Sequence, residues 1–219
     1  MREPSSPLKD RTEAGTELAR QLTHLQAEVP VVLALPRGGV PVGFEIARWL
    51  HAPLDILIVR KIGAPGNPEY GLGAVVEGGH FELDEDRVRE GGYSLVELRP
   101  VIDRELRETE RRAKIYRSVR PRIDWKDRTV IVVDDGAATG GTLFAAIRAV
   151  RAQGAIRIVV ALGVAPPDTC QRLEREADEL HVLREPRSFY AVGQFYKSFE
   201  PVEDAEVLEL LRRATTTSS

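Results

Sequence analysis

One stretch constrains this chain more than any other: Val130-Ile131-Val132-Val133-Asp134-Asp135-Gly136-Ala137-Ala138-Thr139-Gly140-Gly141-Thr142. Four β-branched residues in succession read as a strand buried on both faces, the pattern of a parallel sheet. Two adjacent carboxylates follow at its end. Then comes a loop of small residues and hydroxyls, which opens a helix over Thr142 to Gln153 closed by Gly154. The backbone N–H groups of such a loop and of the helix N-terminus form an anion cup, assisted here by the Thr139 and Thr142 hydroxyls. Small residues let the anion approach the backbone closely. Two carboxylates touching a phosphate would repel it. They suit a ligand that carries hydroxyls beside its phosphate, such as a ribose 5-phosphate.

Other phosphate motifs do not fit. No Lys follows Gly141, so the loop is not a nucleotide P-loop, and no Gly-x-Gly-x-x-Gly follows a strand. A response regulator would carry its acidic pair after the first strand.

The rest of the chain supplies a sheet for this segment. A helix is expected over Asp10 to Leu25, then a strand Val31 to Leu35 that ends in Pro36-Arg37-Gly38-Gly39, then a helix Val42 to Leu50. A second apolar run, Leu54 to Val59, ends at Arg60-Lys61. A Gly/Pro-rich loop, Gly63 to Gly73, precedes a short strand Ala74 to Glu77, with Phe81 to Leu83 as its hairpin partner. Residues 84–118 are highly charged. Apolar positions Val101/Ile102, Leu106, Thr109, Ala113 and Tyr116 predict a long amphipathic helix, with Pro100 in its first turn or at a kink. Its charges read as a solvated face. Strand Arg157 to Leu162, a helix over 168–177 and strand Leu180 to Leu183 complete the alternation. The expectation is an α/β fold, a doubly wound, mainly parallel sheet with a small hood and an inserted long helix. It occupies residues 10–213 as a single domain, with flexible tails at 1–9 and 214–219. Ligands of such sheets bind beyond the carboxyl ends of the strands, where the loops 36–39, 60–73 and 134–142 all fall.

Composition narrows the partners. A net charge of −3 gives no global reason to expect nucleic acid or an anionic membrane. No apolar run approaches the roughly 18 residues of a membrane span, and Met1 to Asp10 has no apolar signal core. A cytoplasmic protein is expected. The single Cys170 forms no internal disulfide and reads as a helix residue. One Cys with four scattered His makes no tetrahedral zinc site, so no protein-held metal is expected.

The segment Val130 to Thr142 resembles the 5-phosphoribosyl 1-diphosphate (PRPP) signature of the type I phosphoribosyltransferases: four apolar residues, two acids, a few small residues, then Thr-Gly-Gly-Thr. The resemblance extends to Pro36-Arg37-Gly38-Gly39, similar to that family's diphosphate loop, and to Arg60-Lys61, similar to the basic pair before its mobile catalytic loop. It covers roughly residues 29–77 and 128–196. It implies that Asp134 and Asp135 bind the ribose hydroxyls and that Ala137, Ala138, Thr139, Gly140, Gly141 and Thr142 hold the 5-phosphate. It implies that Arg37, Gly38, Gly39, Arg60 and Lys61 face the diphosphate, with Mg²⁺ bound through that diphosphate rather than by a protein cage. Cations there stabilise the departing diphosphate as the C1–O bond breaks, which makes Arg37 and Lys61 catalytic candidates.

Gly63 to Gly73 then reads as a lid that excludes water from the reacting carbon. Its Glu69-Tyr70-Gly71 resembles a tripeptide of adenine phosphoribosyltransferases, which makes Glu69 a candidate for acid–base work or acceptor contact. The hypoxanthine–guanine branch places an Asp where this chain has Ala138, so the resemblance does not carry that branch's base here. Phe189, Tyr190 and Tyr196 are the aromatic candidates for stacking an acceptor. The activity implied is transfer of phosphoribose from PRPP to a nitrogenous base, within nucleotide metabolism, with the acceptor unassigned. A PRPP-sensing regulator of the same fold is the alternative, a phosphohydrolase a weaker one. A homo-oligomer remains open.

Overall fold

The computed structural model describes residues 6–216, the side chains of Glu69 and of residues 215 and 216 excepted. Five parallel strands form the main sheet in the order β2-β1-β6-β7-β8, with β1 Val31–Ala34, β2 Leu54–Ile56, β6 Thr129–Asp134, β7 Arg157–Val164 and β8 Glu179–Arg184. The chain winds outward from β1 to β2, then returns to the other side of β1 at β6 and winds on to β8. The order reverses between β1 and β6, which opens a crevice at their carboxyl ends.

Strand periodicity builds the two layers on this sheet. Val32, Ala34, Ile131, Val133, Val159 and Ala161 point to one face, under α1 (Arg11–Gln21), α2 (Gly39–Leu50) and α7 (Asp204–Thr216). Val31, Leu33, Val130, Val132, Ile158 and Val160 point to the other, under α5 (Gly141–Ala152) and α6 (Pro167–Glu176). Strands covered on both sides explain the uninterrupted apolar runs.

A three-stranded antiparallel sheet stands beside this core: β3 Val59–Ala64, β4 Asn67–Val76 and β5 His80–Leu83. Ile62, Leu72 and Val75 bury against Leu98 and Ile102 of the long helix α4 (Leu95–Arg117). α4 starts at a capping box in which Ser94 and Glu97 bond each other's backbone. Pro100 sits inside α4 rather than opening it, and a short helix α3 (Glu85–Glu90) precedes it. On its outer face Arg99–Asp103 (2.9 Å) and Arg111–Glu108 (2.7 Å) are solvated pairs, screened by water and salt.

Several expectations need correction. The run Leu54 to Val59 is not one strand: β2 stops at Ile56 and β3 starts a different sheet at Val59. Gly63 to Gly73 is not an open loop but most of an irregular hairpin, because Ile62 and Leu72 have a helix to bury against; its register shifts on both sides of Gly63, and the turn lies at Pro65-Gly66. Gly66 takes φ +76°, the left-handed conformation that favours glycine. The first helix ends at Gln21 and continues as a 3₁₀ turn, Thr23–Glu28.

The expected tails are anchored at their inner ends. Leu8 is fully buried, and its N–H and C=O bond to Phe195 and Lys197. Ala214 is buried within α7, a helix not anticipated from the sequence. Residues 1–5 and 217–219 lie outside the described set. Among the described residues no helix is long and apolar enough to cross a membrane.

Candidate functional site

The two loops at the sheet's switch point meet tightly. Gly39 opens α2 with its Cα so close to β6 that a Cβ would lie 2.6 Å from the Val133 carbonyl oxygen and 3.0 Å from the Asp134 Cα. A Cβ on Gly38 would overlap the Asp135 carboxylate. Gly38 has ordinary helical dihedrals, φ −60° and ψ −32°, so glycine serves here for space, not for backbone freedom. The peptide between Pro36 and Arg37 is cis.

Beyond β6 the chain turns through 135–140 into α5. Ala137 N–H donates to the Val164 carbonyl (2.9 Å), and the Thr169 hydroxyl donates to the Ala138 carbonyl (2.6 Å). These bonds fix the loop from below. Gly140 caps α5 at φ +73°, its Cα backed by the Phe144 ring and the Thr169 methyl. Ala138, Thr139 and Gly141 are exposed. The first N–H groups of α5, which no helical carbonyl can reach, therefore face open space together with a hydroxyl. Groups of this kind are what an anion would need at a helix N-terminus.

The acidic pair is asymmetric. Asp135 is buried and its carboxylate takes a 2.7 Å bond from Arg11 Nε at the start of α1. Arg11 is held in turn by the Glu200 carbonyl (2.8 Å) and lies 3.8 Å over the Phe199 ring. The Tyr196 hydroxyl donates to the Asp135 carbonyl at 2.6 Å. Asp134 keeps a solvent-facing edge and accepts from the Asp135 N–H (2.9 Å). Burial, then the neighbouring Asp135 charge, raise the Asp134 carboxyl well above the usual carboxylate range. A polyhydroxyl ligand or a cation that relieved this crowding would bind at Asp134.

The basic candidates divide. Successive strand residues face opposite ways. Lys61 opens onto a cleft of about 630 Å³ shared with Ala138, Thr139 and Gly141 of the cup. Arg60 faces α4 and pairs with the buried Glu105 at 2.7 Å. Arg37 reaches the acidic start of α7, with Glu203 at 3.6 Å and Asp204 at 3.9 Å. Arg172, unforeseen, flanks the same cleft over the Phe144 ring at 4.5 Å.

The aromatic candidates divide too, and Tyr196 lies inside the fold. It is buried, stacked on Phe199 at 5.0 Å, and its hydroxyl is committed to the Asp135 carbonyl. Burial, then the Asp135 charge, raise that phenol further above its ordinary range. Tyr196 therefore supports the acidic pair rather than stacking a ligand. Phe189 packs on Phe195 (5.3 Å), whereas Tyr190 is 88% exposed. Glu69 falls within β4, with its side chain outside the described set. Cys170 is buried and its thiol is pushed up to about 12, chiefly by burial, which leaves no nucleophile.

The chain matches the profile of the "Phosphoribosyl transferase domain" over residues 7–196. A Mycobacterium tuberculosis protein named "Putative phosphoribosyl transferase" is 44% identical over 205 residues, which is 94% of this chain and 46% of that protein. The chain thus spans about half the length of this curated relative. The crystal structure of TT1426 from Thermus thermophilus superposes with a TM-score of 0.84 at 44% identity, covering 94% of this chain and 98% of that one. A uracil phosphoribosyltransferase of a Nocardioides species is 46% identical over 59 residues, 27% of this chain and 28% of that protein.

Proposed function

Since the chain belongs to the phosphoribosyl transferase domain family, we propose that it moves the 5-phosphoribosyl group of PRPP to a small nitrogenous base and releases diphosphate. The observation that carries this reading is the joint geometry at the switch point: exposed small residues at the head of α5 beside two adjacent carboxyls, of which Asp134 is raised by burial and by the Asp135 charge. The 5-phosphate takes the cup residues 137–142, and the ribose hydroxyls take Asp134 and Asp135. The diphosphate lies over the backbone of Gly38 and Gly39, two residues whose lack of a side chain lets this loop stand against Asp135 and β6. Mg²⁺ fits this donor set: it prefers phosphate oxygens, water and one or two carboxylates. Bound there, it neutralises charge on the leaving diphosphate. Arg37 joins it only after leaving Glu203 and Asp204, so ligand binding competes with that ion pair.

The paired state of Arg37 and Arg60 also favours a second reading, a regulator that binds PRPP without turning it over. Both readings require the acidic pair. Asp134→Asn with Asp135→Asn is expected to weaken PRPP–Mg²⁺ binding tenfold or more, about 1.4 kcal/mol, by calorimetry. Unchanged affinity in a folded double variant sinks both.

The hairpin β3–β4 is the proposed lid. Amide exchange in the ligand-free protein should be fast at the turn 65–66 and slow at Ile62 and Leu72, which bury against α4. PRPP with an acceptor should slow the turn alone. Uniform protection along the hairpin before ligand is added contradicts a moving lid.

A further inference from the structure

The four histidines of this chain are far apart in sequence, yet two of them converge. His24 Nε2 lies 2.9 Å from Glu179 Oε1, and His181 Nε2 lies 2.6 Å from the same oxygen. Among the described residues, this is the one group of three metal-ligating side chains whose ligand atoms lie within 4.8 Å of one another. Glu179 and His181 are two apart on the edge strand β8, so their side chains share a face. His24 comes from the 3₁₀ turn Thr23–Glu28 that follows α1.

The far sides of all three groups are already committed. His24 Nδ1 sits 3.1 Å from the Gln21 backbone carbonyl, and His181 Nδ1 sits 3.1 Å from Gln21 Oε1. Each Nδ1 can donate to its oxygen, and in that tautomer each Nε2 turns a lone pair toward Glu179. Glu179 holds its other oxygen, Oε2, on Arg157 at 2.5 Å. In that tautomer three acceptors converge, each oriented by an outer partner, and a cation is what would join them. Outer hydrogen bonds that fix ring orientation and carboxylate rotamer are the arrangement that supports metal-ligating His and Glu.

We propose that His24, Glu179 and His181 form a binding site for a transition-metal dication of the zinc class, with water in the fourth position. Donors at zinc-like bond lengths stand about 3.3 Å apart on a tetrahedral ion, so the present separations need only a small outward shift. The His24 side chain is 48% exposed and free to make it, and it leaves room for the water. Imidazole donors do not suit Mg²⁺, so this site is distinct in chemistry from the Mg²⁺ carried by a diphosphate. It also lies on β8, the edge opposite β2, with β7 between it and the switch-point strand β6. The metal ties the turn after α1 to an edge strand, which closes that edge of the sheet.

The test uses the full, tag-free chain stripped with a chelator, with Co²⁺ as optical probe in a millimolar Mg²⁺ background. One Co²⁺ per chain should bind, with the visible absorption of a four-coordinate nitrogen–oxygen site, and Zn²⁺ should displace it and raise the melting temperature. His24→Ala, His181→Ala and Glu179→Gln should each weaken Co²⁺ binding tenfold or more. The partly exposed His24 makes His24→Ala the decisive variant, because its melting temperature in chelator should match that of the parent. Absence of saturable Co²⁺ binding overturns the proposal. So does binding that His24→Ala and His181→Ala leave unchanged. Stabilisation of the parent by acid alone, without metal, would assign the cluster to two imidazolium ions and overturn it as well.

Discussion

Arg117→Met is expected to destabilise the protein by about 3–5 kcal/mol, the range for removing one partner of a buried ion pair. Arg117 ends α4 and reaches both β2 and the residue that follows β4. It donates to the fully buried Asp55 on β2, to both carboxylate oxygens of Glu77 after β4 (2.7 and 3.0 Å), and to the Ile56 carbonyl at 2.9 Å. Asp55 is completed by the N–H groups of Ile123 (2.8 Å) and Ile56 (2.7 Å). This cluster joins the small sheet and α4 to the main sheet, and so sets where Lys61 stands relative to the cup. Burial raises the Asp55 carboxyl even with Arg117 beside it, whose charge acts to lower it. Without Arg117 the carboxyl rises further.

A folded-state value above the unfolded one means that the folded protein binds the extra proton. The stabilisation from that proton is full below the unfolded value and lost as pH rises through the folded value. The deficit of Arg117→Met should therefore widen from mildly acidic to mildly alkaline pH, measured by urea unfolding. Adding Asp55→Asn should recover part of it, because no buried charge is then left unpaired. A deficit below about 1 kcal/mol, or one independent of pH, removes this cluster from its joining role.

None of that cluster could be read from the sequence. Asp55 sits in an apolar run and Arg117 in a charged one, and their pairing depends on how α4 crosses the sheet. What was legible was local. The run Val130 to Val133, the acidic pair and the small-residue loop determine a strand, a turn and a helix within a dozen residues, and the alternating elements around them fix the sheet. The hairpin at 59–76 misled because glycine and proline mark turns, while its pairing rests on Ile62 and Leu72 finding Leu98 and Ile102 about thirty residues on. Helix α7 did leave a signal, since Val207, Leu208, Leu211 and Ala214 recur at helical spacing. Arg11 left none: it meets Asp135 across 124 residues. Tyr196 shows how an aromatic beside a loop is ambiguous until its hydroxyl partner is known. His24 and His181 were separately unremarkable for the same reason.

Lys61→Ala is expected to lower the rate of diphosphate release by about 10²–10³ while PRPP affinity falls far less. The magnitude is that of losing one preorganised charge from a site sheltered from water. As the C1–O bond breaks, negative charge accumulates on the departing diphosphate, so a cation at that point interacts more strongly with the transition state than with bound PRPP. Such interactions appear in kcat rather than in binding alone. Lys61 is the basic candidate that opens onto the cup's cleft. Arg37 must first exchange the carboxylates of Glu203 and Asp204, which stand 3.6 and 3.9 Å away, for phosphate. Arg37→Ala should therefore cost less than the loss of one fully preorganised charge, because the free protein gives up an ion pair that binding would have broken. The measurement is diphosphate release from PRPP–Mg²⁺ across purines, uracil, other pyrimidines and simple nitrogenous bases, with PRPP affinity measured on the same preparations. A regulator gives the reverse pattern: Lys61→Ala and Arg37→Ala weaken PRPP binding, and no acceptor elicits diphosphate from the parent. Tight PRPP binding by the parent with no release in any arm would exclude transfer to the bases tested and favour PRPP sensing.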